Sequence, residues 1–218
     1  MRALVLGSTG GIGQAVAAHL QSGGTDVTGL SRRDGLDWRD PERAEQLLAN
    51  LGPFDLVFDA TGALEIDGAG PEKQLAAIDA EAMSAQFTVN ALGPALVLKH
   101  YKTLLPRQGR AVFATLSARV GSIGDNGLGG WISYRASKAA LNQIVKTTSI
   151  EIARTKPDAI VAALHPGTVA TEFGARFRGN RETLTPEDSA RRMLDVLSGL
   201  SPADTGGFFA YDGSRIPW

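Results

Sequence analysis

Residues 3–20 read ALVLGSTGGIGQAVAAHL, and this stretch decides the fold class. The apolar run Ala3–Leu6 predicts a buried strand, and Gly7–Gly13 predicts a turn into a helix over Gln14–Gln21. The turn follows the pattern G-x-x-x-G-x-G, in which glycine lets backbone amides approach a pyrophosphate at a positively polarised helix N-terminus. The stretch therefore predicts a strand–turn–helix unit that binds a dinucleotide. A glycine-rich turn of some other α/β fold is the alternative.

Strands and helices alternate along the rest of the chain. The strands are predicted at Val27–Leu30, Phe54–Ala60, Arg110–Leu116, Ala159–Leu164 and Gly207–Tyr211. The helices are predicted from Pro41 onward and at Pro71–Asn90, Ala91–Leu105, Ser133–Arg154 and Thr185–Leu197. The strands are continuously apolar, which indicates that both faces of the sheet are covered. We therefore expect an α/β chain whose residues 1–218 form a single domain: a Rossmann-like, doubly wound parallel β-sheet flanked by helices on both faces.

Composition excludes several classes of protein. The net charge is −1, with 22 Lys and Arg against 23 Asp and Glu, so a basic field for nucleic acid is absent. The chain has no cysteine, which excludes disulfides, thiol catalysis and cysteine-based zinc sites. The three histidines have no metal-binding spacing, and no metal is expected. Because no targeting or membrane segment is visible, we expect a cytoplasmic protein with no membrane partner.

The residues after the second strand bear on which dinucleotide is bound. The strand ends in Leu30-Ser31-Arg32-Arg33, and no carboxylate occurs until Asp34. An acidic residue at this place holds the ribose 2′-hydroxyl of NAD, whereas a guanidinium can grip the 2′-phosphate of NADP. The pattern favours NADP(H) over NAD(H), with two solvated loop charges as the alternative.

A tyrosine and a lysine open the long fifth helix. Tyr134 and Lys138 are four residues apart, so they share one face with the apolar stripe that predicts the buried side. A cation within about 4–6 Å favours the phenolate of a tyrosine and can lower its pKa by about one to three units. The pair is therefore a candidate general acid for a carbonyl oxygen. The alternative is a packed tyrosine beside a lysine that reaches water.

Seven motifs occur in one order along the chain. They are the glycines of the first turn, Leu36-Asp37-Trp38-Arg39-Asp40, Asp59-Ala60-Thr61-Gly62, Asn90, Ser117, Tyr134 with Lys138, and Pro166-Gly167-Thr168-Val169 with Thr171. Together they resemble the short-chain dehydrogenase/reductase family over nearly the whole chain. Residues 117–138 and the ending YDGSRIPW at 211–218 resemble the C-factor-type and sniffer-type carbonyl reductases within that family.

The resemblance implies a hydride transfer between NADP(H) and a small carbonyl or alcohol substrate. It gives Tyr134 the role of proton donor, Lys138 that of lowering the tyrosine pKa and holding the ribose, Ser117 that of binding the carbonyl oxygen, and Asn90 that of orienting a water in a proton relay. It places Asp37 at the adenine. The remaining residues that it implies in cofactor binding are Gly7, Ser8, Thr9, Gly11, Ile12, Gly13, Ser31, Arg32, Arg33, Ala60, Thr61, Gly62, Pro166, Gly167, Thr168, Val169 and Thr171.

Two departures from the family pattern leave alternatives open. Asp59 stands where the family usually has asparagine, and we interpret it as structural rather than catalytic. Ser117 lies farther before Tyr134 than is usual, which leaves Ser122 as the second candidate for the catalytic serine. Arg176, Arg178 and Arg181 are interpreted as a solvated charged segment rather than as a site for an anionic substrate.

The activity and the assembly also have alternatives. A signalling or sensor protein of the C-factor type, which binds NADP(H) with little or no turnover, is the alternative function. The resemblance leaves a dimer or tetramer through the long middle helices open, and a monomer as well.

Overall fold

The computed structural model describes residues 1–177, 179 and 182–218. Its six strands form one parallel sheet in the order β2-β1-β3-β4-β5-β6. Because β1 lies between β2 and β3, the strand order reverses beside β1, and a crevice opens there at the carboxyl ends of the strands. The strands are β1 Arg2–Leu6, β2 Asp26–Leu30, β3 Leu56–Asp59, β4 Ala111–Leu116, β5 Ala159–His165 and β6 Gly207–Ala210. The predicted parallel α/β sheet is confirmed.

Helices cover both faces of this sheet. They are α1 Gly11–Ser22, α2 Pro41–Ala49, α3 Ala80–Phe87, α4 Gly93–Lys99, α5 Tyr101–Leu104, α6 Ile132–Thr155 and α7 Pro186–Gly199. The local sequence explains where two of these helices begin. Asp40 caps α2 ahead of Pro41, and Thr185 caps α7 ahead of Pro186 through hydrogen bonds to backbone N–H groups.

The core consists of two apolar layers, one on each side of the sheet. One layer packs Leu141, Val145 and Ile152 of α6 against alternate residues of the strands. The other packs Val16 of α1 and Met193 of α7 against the opposite face. Alternate residues of every central strand are thus buried on both faces, which is why the strands are apolar throughout.

The middle of the chain differs from the prediction. The predicted helix Pro71–Asn90 begins only at Ala80, where the Asp79 side chain caps it, and residues 71–79 hold one 3₁₀ turn at Leu75–Ala77. The predicted break between residues 90 and 91 is a π-helical turn, Thr88–Leu92, that joins α3 to α4. The start of this helix was misplaced because Glu72 hydrogen-bonds to Trp131 and Ser133, which are distant in sequence, and therefore lies outside any helix.

Within the described residues, no helix has the length and apolarity that crossing a bilayer requires.

Candidate active site

The first glycine turn lies between β1 and α1, and its glycines are required by close backbone contacts. Gly7 has φ +77°, and a Cβ on Gly13 would come within 2.2 Å of the Gly7 carbonyl oxygen. A Cβ on Gly11 would come within 2.5 Å of Cγ2 of Thr171. Gly10 provides no side-chain cap for α1, and the first turn of α1 has no acidic residue. Its N–H groups are therefore available to an anion, which fits the pyrophosphate of a dinucleotide.

A cleft of about 430 Å³ lies beside this turn, at the ends of β1 and β2. Ser31, Arg32 and Asp37 line it, but Arg33 does not. The Ser31 hydroxyl donates to the Asp34 carboxylate, and together they form a capping box for the short turn over Arg32–Asp34. The structure therefore places one of the two predicted arginines at the cleft. The cleft lining also includes Gly7, Thr9, Gly10, Ala60, Thr61, Gly62 and Trp38.

Arg39 is a second guanidinium at this cleft, and the sequence analysis assigned it no role. Its Nη2 lies 2.7 Å from Oδ2 of Asp37, and the hydrogen bond from Arg39 holds the pKa of Asp37 below its usual range. Asp37, the residue expected at the adenine, is therefore an ionised carboxylate held in place by Arg39. Trp38 is buried next to it and donates from Nε1 to the Thr61 hydroxyl at 3.1 Å.

A second cleft of about 150 Å³ lies on the other side of the glycine turn. Ser117, Tyr134 and Lys138 line it, together with the start of α1. All three side chains are buried, with 3–5% exposure. Lys138 donates from Nζ to the Leu116 carbonyl at 2.8 Å, and the same nitrogen lies 6.0 Å from the centre of the Tyr134 ring. The fold thus brings three of the predicted catalytic residues to one cleft.

Burial is the main cause of the changes in the pKa values of Tyr134 and Lys138. It raises the pKa of Tyr134 far above its ordinary value of 10.0, and it lowers the pKa of Lys138 to about 8. The charge of Asp59 opposes the change at Lys138. The direction at Tyr134 is opposite to the one expected from a neighbouring lysine, because the phenolate loses its hydration inside the protein. Tyr134 is therefore a neutral phenol that carries its proton at neutral pH.

The two candidate serines are in different places. Ser117 directly follows β4 and donates from Oγ to Oδ1 of Asn142 at 2.6 Å, inside the cleft of Tyr134. Ser122 accepts from the Asp125 N–H at 3.1 Å and lines a separate surface groove. Asn142 was not among the predicted site residues, although it lies four residues after Lys138 on the same face of α6.

Asn90 lies in the π-helical turn and is fully buried. Its amide donates to the Ala63 carbonyl at 2.8 Å and to Oε1 of Gln86 at 2.7 Å, and it accepts from the Ala63 N–H. A Cβ on Gly62 would lie 3.1 Å from Oδ1 of Asn90 and 3.4 Å from Nζ of Lys138. The side chain therefore holds the turn after β3 against Lys138, and the water relay expected at Asn90 stays a prediction.

An apolar cavity of about 410 Å³ opens next to Tyr134. Its aromatic walls are Trp131, Phe173 and Phe177, with the rings of Trp131 and Phe177 edge to face at 5.7 Å. Tyr134 lies 6.3 Å from the Trp131 ring and 6.5 Å from the Phe173 ring. The cavity can therefore take a compact apolar group beside the phenol. Trp131 was not among the predicted site residues.

The loop after β5 closes the remaining side of the apolar cavity and of the cleft that holds Ser117 and Lys138. The residues of this loop at the apolar cavity are Pro166, Gly167, Thr168, Val169 and Thr171, and Ile12 of α1 faces them. His165 ends β5 at the same cavity, and burial lowers its pKa to about 4, so it is neutral at pH 7. Ser8 is part of the glycine turn and lies against β2, where its hydroxyl would meet a Cβ placed on Gly29.

Of the three arginines predicted as a solvated segment after Thr171, the structure describes Arg176. Arg176 is exposed, and its Nη1 lies 3.5 Å from Oε1 of Glu65. Arg178 and Arg181 lie outside the described residues. No group of three metal-ligating side chains occurs in the part of the chain that the structure covers.

The sequence matches a known family and several relatives over most of its length. A family model described as enoyl-(acyl carrier protein) reductase matches residues 36–213. The 1-hydroxy-2-glutathionyl-2-methyl-3-butene dehydrogenase of Rhodococcus sp. (strain AD45) is 31% identical over 232 residues, which span 99% of this chain and 98% of that protein. The C-signal of Myxococcus xanthus is 40% identical over 172 residues, which span 77% of this chain and 94% of that protein.

Solved structures with the same fold extend the comparison. The NADPH-bound carbonyl reductase from chicken fatty liver has a TM-score of 0.84 and 25% identity, over 100% of this chain and 98% of that one. A short-chain dehydrogenase/reductase structure from Burkholderia multivorans with bound NADP has a TM-score of 0.80 and 26% identity, over 100% and 99% of the two chains. The carbonyl reductase Sniffer of D. melanogaster, at 21% identity and a TM-score of 0.80, covers 100% of this chain and 99% of its own and shares the fold.

Proposed function

The chain belongs to the short-chain dehydrogenase/reductase family of oxidoreductases, and from that membership we propose that it interconverts a small carbonyl compound and its alcohol with NADP(H). The observation that carries the proposal is the single buried cleft in which Ser117, Tyr134 and Lys138 meet the start of α1. The Rhodococcus relative is named as the dehydrogenase of a hydroxy compound, which supports the alcohol as the reduced form.

The clefts fit NADP(H) in shape and in chemistry. The cleft of about 430 Å³ would hold the adenosine end, with Asp37 at the adenine and Arg32 at the 2′-phosphate. The start of α1 would hold the pyrophosphate, and Lys138 with the loop of residues 166–171 would hold the nicotinamide end. When bound, the cofactor supplies or accepts the hydride. The preference for NADPH over NADH rests on Arg32 and on two neighbours of the same fold that hold NADP or NADPH.

Tyr134 is the proposed proton donor in the reduction. Because burial keeps it neutral, its hydroxyl has a proton to give to a carbonyl oxygen that enters from the apolar cavity. The phenolate that remains is costly in this buried place, and the ammonium of Lys138 offsets part of that cost. The reverse reaction, oxidation of an alcohol, returns the proton to Tyr134.

Ser117 is the proposed second contact to the substrate oxygen. Its hydroxyl donates to Asn142 in this structure, and it would turn from that acceptor to the carbonyl oxygen as negative charge develops there. Asn142 itself donates to the Gly121 carbonyl, so its oxygen stays directed at Ser117. The pair sets the position of the serine before substrate arrives.

The apolar cavity limits the proposed substrates to compact carbonyl compounds. Its walls of Trp131, Phe173 and Phe177 favour an apolar or flat group next to the carbonyl carbon. Whether the chain forms a dimer or tetramer, and that it is cytoplasmic, stay predictions from the sequence. That residues 1–218 act as one domain is likewise part of the proposal.

A second candidate function is favoured by one comparison. The C-signal of Myxococcus xanthus, which is 40% identical, supports an NADP(H)-binding signalling protein with little or no turnover. The two candidates differ in what Tyr134 does. A signalling protein requires cofactor binding alone, whereas the oxidoreductase requires the phenol.

The deciding experiment is NADPH consumption against a panel of aldehydes, ketones and quinones, with NADH in parallel. Tyr134→Phe is expected to lower kcat at least a thousandfold while the Kd for NADPH changes less than about threefold. Tyr101→Phe is the matched control, because the Tyr101 hydroxyl lies away from the clefts, 3.3 Å from Oγ1 of Thr155. Substantial turnover in Tyr134→Phe would contradict the mechanism, and tight NADPH binding without turnover on the whole panel would favour the signalling candidate.

A further inference from the structure

Asp59 is a fully buried carboxylate at the end of β3 that the mechanism above does not use. Its Oδ1 accepts from the Thr61 N–H at 3.0 Å and from the Thr61 hydroxyl at 2.6 Å. Its Oδ2 accepts from the Thr115 hydroxyl at 2.9 Å. An asparagine could make these hydrogen bonds with neutral partners, since a threonine hydroxyl both donates and accepts. The bonds therefore explain a polar side chain here, but not a charged one.

The polar end of Lys138 lies at the same edge of the sheet. Asp59 and Thr115 are partners in the β3–β4 register, and Lys138 donates to the carbonyl of Leu116, the residue after Thr115. The turn that follows Asp59 also reaches Lys138, because a Cβ on Gly62 would lie 3.4 Å from Nζ. A buried carboxylate and a buried ammonium thus lie at the same ends of two adjacent strands.

Among the residues that the structure describes, Asp59 is the source of negative charge that acts on Lys138. Tyr134, on the same helix, is a neutral phenol, and Asn90, from the π-helical turn, is a neutral amide. Asp59 is the acidic group whose charge acts on Lys138, and the interaction is mutual. Burial raises the pKa of Asp59 and lowers that of Lys138. The charge of each group opposes this effect, because it favours the ionised form of the other.

We propose that Asp59 is a positioning residue for the chemistry of Tyr134: its buried carboxylate keeps Lys138 protonated, and through Lys138 it sets the pH range in which the site works. The inference rests on the proposed oxidoreductase function. Without the carboxylate charge, Lys138 loses its proton at lower pH, and the phenolate of Tyr134 then loses its cation. The alkaline limb of the reduction therefore moves to lower pH.

Asp59→Asn tests the charge, because it keeps the shape and the hydrogen-bonding capacity of the side chain. The titration of Lys138 is followed by NMR in protein labelled with ¹³Cε-lysine, and its signal is assigned by its loss in Lys138→Arg. The pKa of Lys138 is expected to fall by about one unit, which is tenfold in its proton affinity. The alkaline limb of kcat/KM for NADPH-dependent reduction is expected to move down by the same amount.

Asp55→Asn is the matched control. It removes the same charge just before β3, where the Asp55 carboxylate accepts from the Arg2 N–H at 2.8 Å, away from Lys138. It is expected to leave both the Lys138 titration and the pH profile unchanged. An unchanged pKa of Lys138 in Asp59→Asn would overturn the proposal, and so would an equal change in Asp55→Asn.

A measurement on the unmodified protein decides the matter if Asp59→Asn does not fold. In ¹³Cγ-aspartate spectra, an ionised Asp59 at pH 7 supports the proposal, and a protonated Asp59 overturns it. Neither NMR titration needs turnover. An unmodified protein that reduces no carbonyl therefore contradicts the proposed function, while the Lys138 titration still decides whether Asp59 holds its charge.

Discussion

Two buried serines follow β4 within five residues of each other, and one of them faces Tyr134. Ser117→Ala is expected to lower kcat about 10²- to 10³-fold, the size of effect seen when one donor to a developing oxyanion is removed. Ser122→Ala is expected to leave kcat within about threefold, because its hydroxyl is bound to the Asp125 N–H instead. Steady-state kinetics on both variants measure this. A larger loss in Ser122→Ala would make Ser122 the catalytic serine.

The two neighbouring arginines after β2 should also differ in their contribution to NADPH binding. Arg32→Ala is expected to weaken NADPH binding about tenfold or more, since a hydrogen bond to a charged group contributes roughly 1.5–3 kcal/mol. Arg33→Ala is expected to change it less than about twofold, because Arg33 does not line the adenosine cleft. The Kd values for NADPH and NADH by fluorescence titration measure both effects. An equal loss for NADH in Arg32→Ala would contradict a contact to the 2′-phosphate.

Among the secondary-structure elements, the start of α6 depends on a residue some sixty positions earlier. The Trp131 N–H donates to the Glu72 carbonyl at 2.5 Å, and the Ser133 N–H and hydroxyl both donate to the Glu72 carboxylate. Trp131 has φ +56°, a left-handed conformation that costs about 1–2 kcal/mol outside glycine. Glu72 thus acts as the cap of the helix that bears Tyr134, and it holds the backbone of Trp131, whose indole lines the apolar cavity.

Glu72→Gln is expected to reduce the free energy of unfolding by about 1 kcal/mol at pH 7, the usual size of a lost helix cap. Burial acts to raise the pKa of Glu72, but the hydrogen bonds from Ser133 prevail and hold it below its ordinary value. The carboxylate therefore stabilises the fold above the ordinary pKa, and that contribution disappears as pH falls through the lowered one. Urea unfolding from pH 7 to pH 3 measures this. Glu151→Gln, at an exposed site on α6, is the control and should show no such loss.

The contacts of Glu72 with the start of α6 show which parts of the structure could be predicted from the sequence and which could not. The alternation of strands and helices, the glycine turn and the Tyr134–Lys138 face were predictable, because each depends on residues close together in the chain. The start predicted for the third helix at Pro71 was wrong, because Glu72 is used by a helix much later in the sequence. The place of Trp131 in the aromatic wall could not be predicted either, since its ring meets Phe177 only after the chain has folded. Asn142 could have been predicted, because its spacing of four residues from Lys138 places both side chains on one face of the helix.

Across the whole molecule, the site depends on the sheet. The two apolar layers share the same strands, so neither is complete without the other. The ends of β1, β3, β4 and β5 meet at one edge and carry, in turn, the glycine turn, Asp59, Ser117 and the loop after His165. Cofactor binding at this edge should therefore stabilise the entire fold, in keeping with our proposal that residues 1–218 form one domain.

Thermal unfolding tests this coupling directly. A ligand present at about 100 times its Kd stabilises a protein by about 2.7 kcal/mol, and each kcal/mol raises Tm by roughly 2–4 °C for chains of this length. NADPH at that concentration should raise Tm by roughly 5–10 °C in a single transition, and equimolar NADH should raise it less because it lacks the 2′-phosphate that Arg32 would bind. Calorimetry with each cofactor measures both. Two transitions, of which NADPH shifts one, would contradict the single domain, and equal shifts with both cofactors would contradict the preference for NADPH.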